Sequence, residues 1–273
     1  MTFRCTLIGV LFLLLTVGAA AAQTPQHVVT VNLCLDQMAM RLAAPGQLVG
    51  VSYLSRDPRI SVLADRAASI PTVRATVESI LNLRPDLVIF DRDSHATLKR
   101  LLRIAGIRML EVKWGASIDD AESIIERMAI AMGREEVGKG LIADMREQKR
   151  QLAWTGAPVA TAIMLQANRG TAGKGSLMDE LLRVAGFRNL AAEMGIPAYG
   201  RIALEEVLVN QPGLLVLDGA ANANPARATE FVDHHALLAL AGKTRLVSLP
   251  IKYSICAGPE NFEAIRLLAA ARP

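Results

Sequence analysis

Glu78–Phe90 reads ESILNLRPDLVIF, and Glu205–Leu217 reads EEVLVNQPGLLVL. Each stretch opens on a glutamate that begins a helical turn. Each places a proline seven residues further on, Pro85 and Pro212, and each then runs apolar. A proline stops a helix because it lacks the N–H and its ring clashes with the preceding turn. A short apolar run behind such a stop reads as a parallel strand covered on both faces. The unit occurs twice, roughly half a chain apart, so two lobes of similar build are expected.

Working outward, β/α alternation surrounds both units. Before the middle of the chain, strands are expected at 28–31, 48–53, 87–90 and 109–112, with helices at 35–42, 78–83 and 97–105. After Pro158 the alternation resumes, with strands at 159–165, 214–217 and 246–249 and helices at 176–185, 205–209, 229–241 and 260–271. This grammar predicts an α/β fold with mostly parallel sheets flanked by helices. Between the two halves, Ser117 and Asp120 have capping-box spacing and start a helix running to Gly133. Arg134–Trp154, REEVGKGLIADMREQKRQLAW, is charged and free of proline. A helix of about 20 residues spans about 30 Å, so this segment is the expected connector between lobes. The predicted division is a leader over 1–22, one lobe over 23–133, the connecting helix over 134–156 and a second lobe over 157–273. Leu101–Gly106, LLRIAG, and Leu181–Gly186, LLRVAG, echo each other, which reads as a common helix end with a glycine cap rather than a duplication.

The leader has a positive start at Arg4, an apolar stretch over Leu7–Val17 and small residues at Ala20-Ala21-Ala22 before Gln23. The apolar stretch falls short of the ~20 residues of a membrane span. Cys5 precedes it, so no lipid-modified cysteine is expected. An exported, soluble, periplasmic product is the expectation. Without Arg4 the formal net charge of +4 becomes +3, and with no Lys/Arg cluster nucleic acid is not an expected partner. Of the cysteines, Cys34 and Cys256 remain beyond the leader. They are either a disulfide or two buried thiols, depending on geometry.

Ligands of open α/β sheets sit outside the carboxyl ends of the strands. The residues following the expected strands therefore form the candidate site: Tyr53 and Arg56, Arg92 with His95, Trp114, Gln166 with Asn168 and Arg169, Asp218, and Lys252 with Tyr253. Tyr199 and Arg201 lie in a loop before Glu205. Rigid aromatics combined with Arg56, Arg92, Arg169, Arg201 and Lys252 suit a large, partly anionic ligand. Ala167–Ser176, ANRGTAGKGS, fails as a phosphate loop because Gly175 follows Lys174. Ser176 and Asp179 still form a helix start whose amides could hold a ligand carboxylate. The histidines His27, His95, His234 and His235 show no metal-ligand spacing. No Gly-x-Ser-x-Gly is present and Cys34 has no evident His partner, so an enzyme is not expected. No cofactor is expected either.

The chain resembles the periplasmic substrate-binding proteins of ABC importers that capture vitamin B12, ferric siderophores and haem. The resemblance is carried by VNLCLDQMAMRLAAP, VGVSYLSRDP, ESILNLRPDLVIF, GKGSLMDELLRVAG, ALEEVLVNQPGLLVL, HHALLAL and CAGP, in order along nearly the whole chain. It implies two α/β lobes joined by one long helix, a ligand cleft between them and limited hinge motion. It also implies that Glu78 and Glu205 dock onto arginines of a membrane permease with ATPase subunits, with Glu206, which adjoins the second, as the alternative contact. A monomer and a metal-chelate ligand are expected, a ferric siderophore first, with a corrinoid or haem as the alternative. Where B12 binders of this kind carry tryptophans, this chain has Thr72, Asp91 and Tyr199. Outside this class, a secreted enzyme would need a nucleophile–base pair in the cleft, and a sensor ectodomain would be told apart by whether genes for a permease and ATPase lie beside its own.

Overall fold

The computed structural model describes residues 24–218, 240 and 242–273. The expected leader lies outside these residues, as does the expected 229–241 helix with His234 and His235, apart from Leu240.

The first half forms β1 (Val28–Thr30), α1 (Leu33–Leu42), β2 (Leu48–Ser52), α2 (Ala64–Ala67), β3 (Thr72–Val73), α3 (Val77–Leu81), β4 (Leu87–Asp91), α4 (Ala96–Ile104) and β5 (Met109–Val112). Two long helices follow, α5 (Ile118–Met132) and α6 (Glu135–Leu152). The second half contains β6 (Ala160–Leu165), β7 (Gly170–Thr171), α7 (Leu177–Val184), β8 (Phe187–Asn189), α8 (Leu190–Glu193) and β9 (Gly200–Arg201). It ends with α9 (Leu204–Asn210), β10 (Leu214–Asp218), β11 (Arg245–Leu249) and α10 (Asn261–Ala270).

Among the described residues the first sheet has the order β3-β2-β1-β4-β5 and the second β11-β10-β6-β8. All their pairings are parallel. Read from the second strand of each lobe, β2-β1-β4-β5 and β8-β6-β10-β11 are the same arrangement, so the lobes share a topology. The two glutamate–proline units occupy equivalent places, α3 leading into β4 and α9 into β10. Their helix ends also match. Arg84 and Gln211, each just before the proline, adopt left-handed backbone conformations with φ of 48° and 41°. A proline disfavours the right-handed helix for its predecessor, so both helices end before it. By contrast, the LLRIAG and LLRVAG segments lie on α4 and α7, which are not equivalent positions. Gly106 and Gly186 end those helices with φ of 76° and 91°, as a C-cap glycine does.

Strand alternation builds three apolar clusters. Val28, Leu87, Ile89, Ala162, Met164, Leu214 and Val216 face one central cluster that runs from the first sheet to the second. Their strand neighbours Val29, Val88 and Phe90 face a cluster on the far side of the first sheet. Ile163, Leu165 and Leu215 do the same for the second sheet. Each central strand is thus covered on both faces, the condition that lets a parallel strand read as a continuous apolar run.

The connecting helix is α6. It packs on α5 so closely that a Cβ on Gly138 would stand 2.4 Å from that of Ala129. Its far end is seated in the second lobe by Trp154. The Trp154 backbone N–H donates to Val184, its indole Nε1 donates to Ala157, and the Arg272 guanidinium stacks 4.4 Å from its ring. Glu180 of α7 ties the same region together. It accepts the Ile118 N–H at the start of α5 at 2.7 Å and pairs with Lys149 of α6 at 2.9 Å. Among the described residues no helix is long and apolar enough to cross a membrane.

Candidate functional site

Trp114 stands just beyond β5, on the segment that leaves the first lobe for α5. Its indole forms one wall of a cavity of about 410 Å³. The other walls come from the second lobe: Met164 and Gln166 at the end of β6, Leu177 and Met178 of α7, Tyr199 before β9, and Ile251, Ser254 and Ile255 after β11. The wall is mainly apolar, with Gln166, Ser176 and Ser254 as its polar residues. Tyr199 is 67% exposed and Trp114 39%, so each leaves aromatic surface uncovered. On its other side Trp114 lines a much smaller cavity with Asn32, Cys34, Asp91, Lys113 and Ala257.

Trp114, Gln166 and Tyr199, expected from their places after strands or in loops, are therefore brought together. The antiparallel β7–β9 ribbon organises part of this edge. Gly170 pairs with Arg201 and Thr171 with Gly200, and the Ile202 N–H donates to the Arg169 carbonyl. Arg169 and Arg201 are thus neighbours on the ribbon that carries Tyr199, and both are exposed. Asn168 and Arg169 are consecutive left-handed residues, with φ of 55° and 61°. Such conformations are uncommon outside glycine and concentrate where a loop must present its side chains in one way.

The other expected residues lie elsewhere. Tyr53 and Arg56 sit in a 3-10 turn after β2. Tyr53 is exposed, and the Arg56 guanidinium donates to the carbonyls of Ala67 and Ile70. Arg92 is exposed after β4 and pairs with Asp93 at 3.3 Å. Lys252 lies 5.4 Å from the Tyr253 ring centre, and Tyr253 packs on the central cluster rather than the cavity. The amides of the ANRGTAGKGS loop are already engaged. Gly173 donates to Pro197, Lys174 to Ile196, Ser176 to Gly173, and Gly175 to the Asp179 carboxylate. They are not free to hold a ligand carboxylate, whereas the Leu177 and Met178 N–H groups in the first turn of α7 have no partner among the described residues. The loop contributes the Ser176 side chain and α7 that of Leu177.

Sequence reading missed the apolar walls. Met164, Leu177, Met178, Ile251 and Ile255 have the composition of core residues, and only their place beside strand ends distinguishes them. It also left Cys34 and Cys256 open. They form a disulfide with Cα atoms 5.2 Å apart, within the usual span for such a bond.

Two carboxyls are buried on or against α1. Asp36 of α1 accepts the Ser52 N–H at 3.0 Å and the hydroxyls of Ser52 and Ser55. It thereby holds the turn that carries Tyr53. Burial pushes its pKa above the ordinary value, and these hydrogen bonds offset that only in part. Glu260, before α10, pairs with Arg41 of α1 at 3.0 Å and accepts from Gln37 at 3.3 Å. Burial also raises its pKa, against the pull of Arg41. Among the described residues no cluster of His, Cys, Asp and Glu could hold a metal ion.

Glu78 and Glu205 are exposed in the first turns of α3 and α9. Among the described residues neither carboxylate has a hydrogen-bond or ion-pair partner. Glu206 differs, because its carboxylate accepts the Ala203 N–H at 2.8 Å and closes the start of α9.

Two matched parallel lobes, one long connecting helix and an apolar cavity against both lobes define an architecture that comparison identifies. The model of a family described as periplasmic binding protein matches residues 28–247. The chain belongs to that family. A cobalamin-binding protein of Halobacterium salinarum is 26% identical over 217 residues, which is 76% of this chain and 58% of that protein. The chain thus spans little more than half of that relative's length. Among solved structures, the periplasmic heme-binding protein RhuT from Roseiflexus sp. RS-1 superposes with a TM-score of 0.70 at 24% identity, covering 91% of this chain and 99% of that one. The periplasmic vitamin B12-binding protein BtuF of Vibrio cholerae gives 0.69 at 20% identity, over 91% and 96%. These likenesses establish the binding-protein fold with two lobes and a single helical connection.

Proposed function

We propose that this binding protein is the periplasmic solute-capture component of an ABC importer and that its solute is a metal chelate. The observation that carries the reading is the cavity in which Trp114 of the first lobe faces Met164, Met178 and Tyr199 of the second. Capture, not chemistry, is the mechanism. Flat aromatic faces and polarizable methionines favour a ligand with a broad apolar body. Arg169 and Arg201 on the adjoining ribbon favour anionic groups at its edge.

A ferric siderophore bearing carboxylates meets both conditions and remains the first candidate. A corrinoid or haem is the second reading, favoured by the apolar wall and by what the similar proteins are named for binding. The lobes divide near Gly133 and near Trp154, with α6 between them, and a cleaved leader delivers the chain to the periplasm. Once loaded, the protein presents Glu78 and Glu205 to arginines of the permease, which its ATPase subunits drive. Charge-assisted contacts of this kind are the stronger class of hydrogen bond.

Native mass spectrometry of the protein recovered from its own periplasm tests the reading. A bound mass matching a ferric siderophore, haem or corrinoid is the expected result. A bound amino acid, sugar or simple metal ion would overturn it.

A further inference from the structure

Cys34 and Cys256 belong to different lobes and are 222 residues apart in the chain. Cys34 is in the first turn of α1, where the Asn32 side chain caps the N–H groups of Cys34 and Leu35. Cys256 is fully buried and directly follows Ile255. Both halves of the bond adjoin cavity walls. Cys34 lines the small cavity behind Trp114 together with Ala257, the neighbour of Cys256. Ile255 and Ser254 line the large cavity in front of it. The same two segments are also held by Arg41 and Gln37 on Glu260. Gly115 fits there closely, since a Cβ on it would stand 3.2 Å from that of Ala257.

We infer that the Cys34–Cys256 disulfide is a positioning device for the ligand site, a second covalent link between the lobes that sets the separation of the Trp114 wall from the Ile251–Ile255 wall. The connecting helix α6 and the apolar cluster that runs between the sheets hold the lobes together by packing and by one chain crossing. A bond at a second point adds a covalent constraint beside the cavity walls. The polar latch at Glu260 works on the same side and orders the segment, but it can part and re-form. The bond cannot do so without a reductant. The oxidised chain therefore holds its cavity at one width, and binding needs little closure. This inference rests on the cavity being the ligand site. If a tenth of the reduced molecules keep the right width, the apparent dissociation constant for the chelate rises about tenfold.

The test needs no ligand, so its result is independent of whether a chelate is the solute. In a Trp154→Phe background Trp114 is the remaining tryptophan, and acrylamide quenching of its fluorescence reads the cavity. Quenching is measured on the oxidised protein, on the same protein reduced by a phosphine with both thiols counted, and on Cys34→Ala/Cys256→Ala. Circular dichroism monitors folding throughout. Hydrogen exchange of residues 112–116 and 251–257 is compared with that of 160–165. The expected result is a folded reduced protein with stronger quenching of Trp114 and faster exchange at both walls, while 160–165 is unchanged. Unchanged quenching with both thiols free would overturn the inference. So would global unfolding on reduction, which would make the bond a general stabiliser. Should the double alanine variant not fold, the reduced Trp154→Phe protein decides alone.

Discussion

At the scale of single residues, two groups show how local physics holds the loops beyond the strands. Burial raises the Asp36 pKa above its ordinary value of 3.8. The native chain therefore holds a proton there over a range in which the unfolded chain has released it. Its contribution to stability is complete below the unfolded pKa and is lost as pH rises through the native one. Urea unfolding from about pH 4 to about pH 7 should show a shallower fall in stability for Asp36→Asn than for the native protein. An identical slope would mean that Asp36 does not titrate there. Gly173 is a steric case. A Cβ on it would lie 2.0 Å from the Ile196 carbonyl oxygen and 2.5 Å from that of Pro197. Backbone, not a movable side chain, blocks it, so Gly173→Ala should cost about 1–3 kcal/mol and shift the loop that positions Ser176 and Tyr199. Thermal unfolding checks the first effect and ligand titration the second. Trp114, Gln166 and Tyr199 were legible in the sequence because polar or aromatic residues beyond strand ends stand out. Met164 and Met178 were not, because a cavity wall and a core use the same residue types. The disulfide was undecidable until the 5.2 Å separation was known.

At the scale of elements, α3 and α9 carry the clearest expectation. Glu78 and Glu205 are exposed on equivalent helices, while Glu206 is committed to its own helix start. Glu78→Ala and Glu205→Ala should leave ligand affinity near normal and reduce uptake in a reconstituted importer. Glu206→Ala should instead lower stability by about 0.5–2 kcal/mol, as loss of a helix cap does, with uptake per folded molecule retained. Full uptake by the Glu78→Ala/Glu205→Ala variant would remove the docking role. The strands behind Pro85 and Pro212 and the long α6 follow the sequence reading closely, because each has a strong local signal: a proline stop, an apolar run, or a long proline-free charged segment. Strands β3, β7, β8 and β9 escaped it. They are two or three residues long, too short for alternation to register, and exist because neighbouring strands offer them hydrogen bonds.

At the scale of the whole molecule, the lobes are joined through α6, through the apolar cluster that runs between the sheets, through the Glu180 and Glu260 contacts, and through the disulfide. A continuous helix resists bending, and hinges use loop residues that absorb dihedral change. Ligand binding should therefore leave the radius of gyration from solution scattering nearly unchanged, and a large closure would contradict the account of the connection. Calorimetric titration of the purified protein with ferric siderophores, haem and cobalamin, repeated with Trp114→Ala and Tyr199→Ala, decides whether this cavity captures a chelate. One-site binding of at least one of these chelates is expected, with a dissociation constant of about 1 μM or tighter, and weakening by about tenfold or more in each variant. Binding of none of them by the folded protein, or binding that both substitutions leave unchanged, would contradict it.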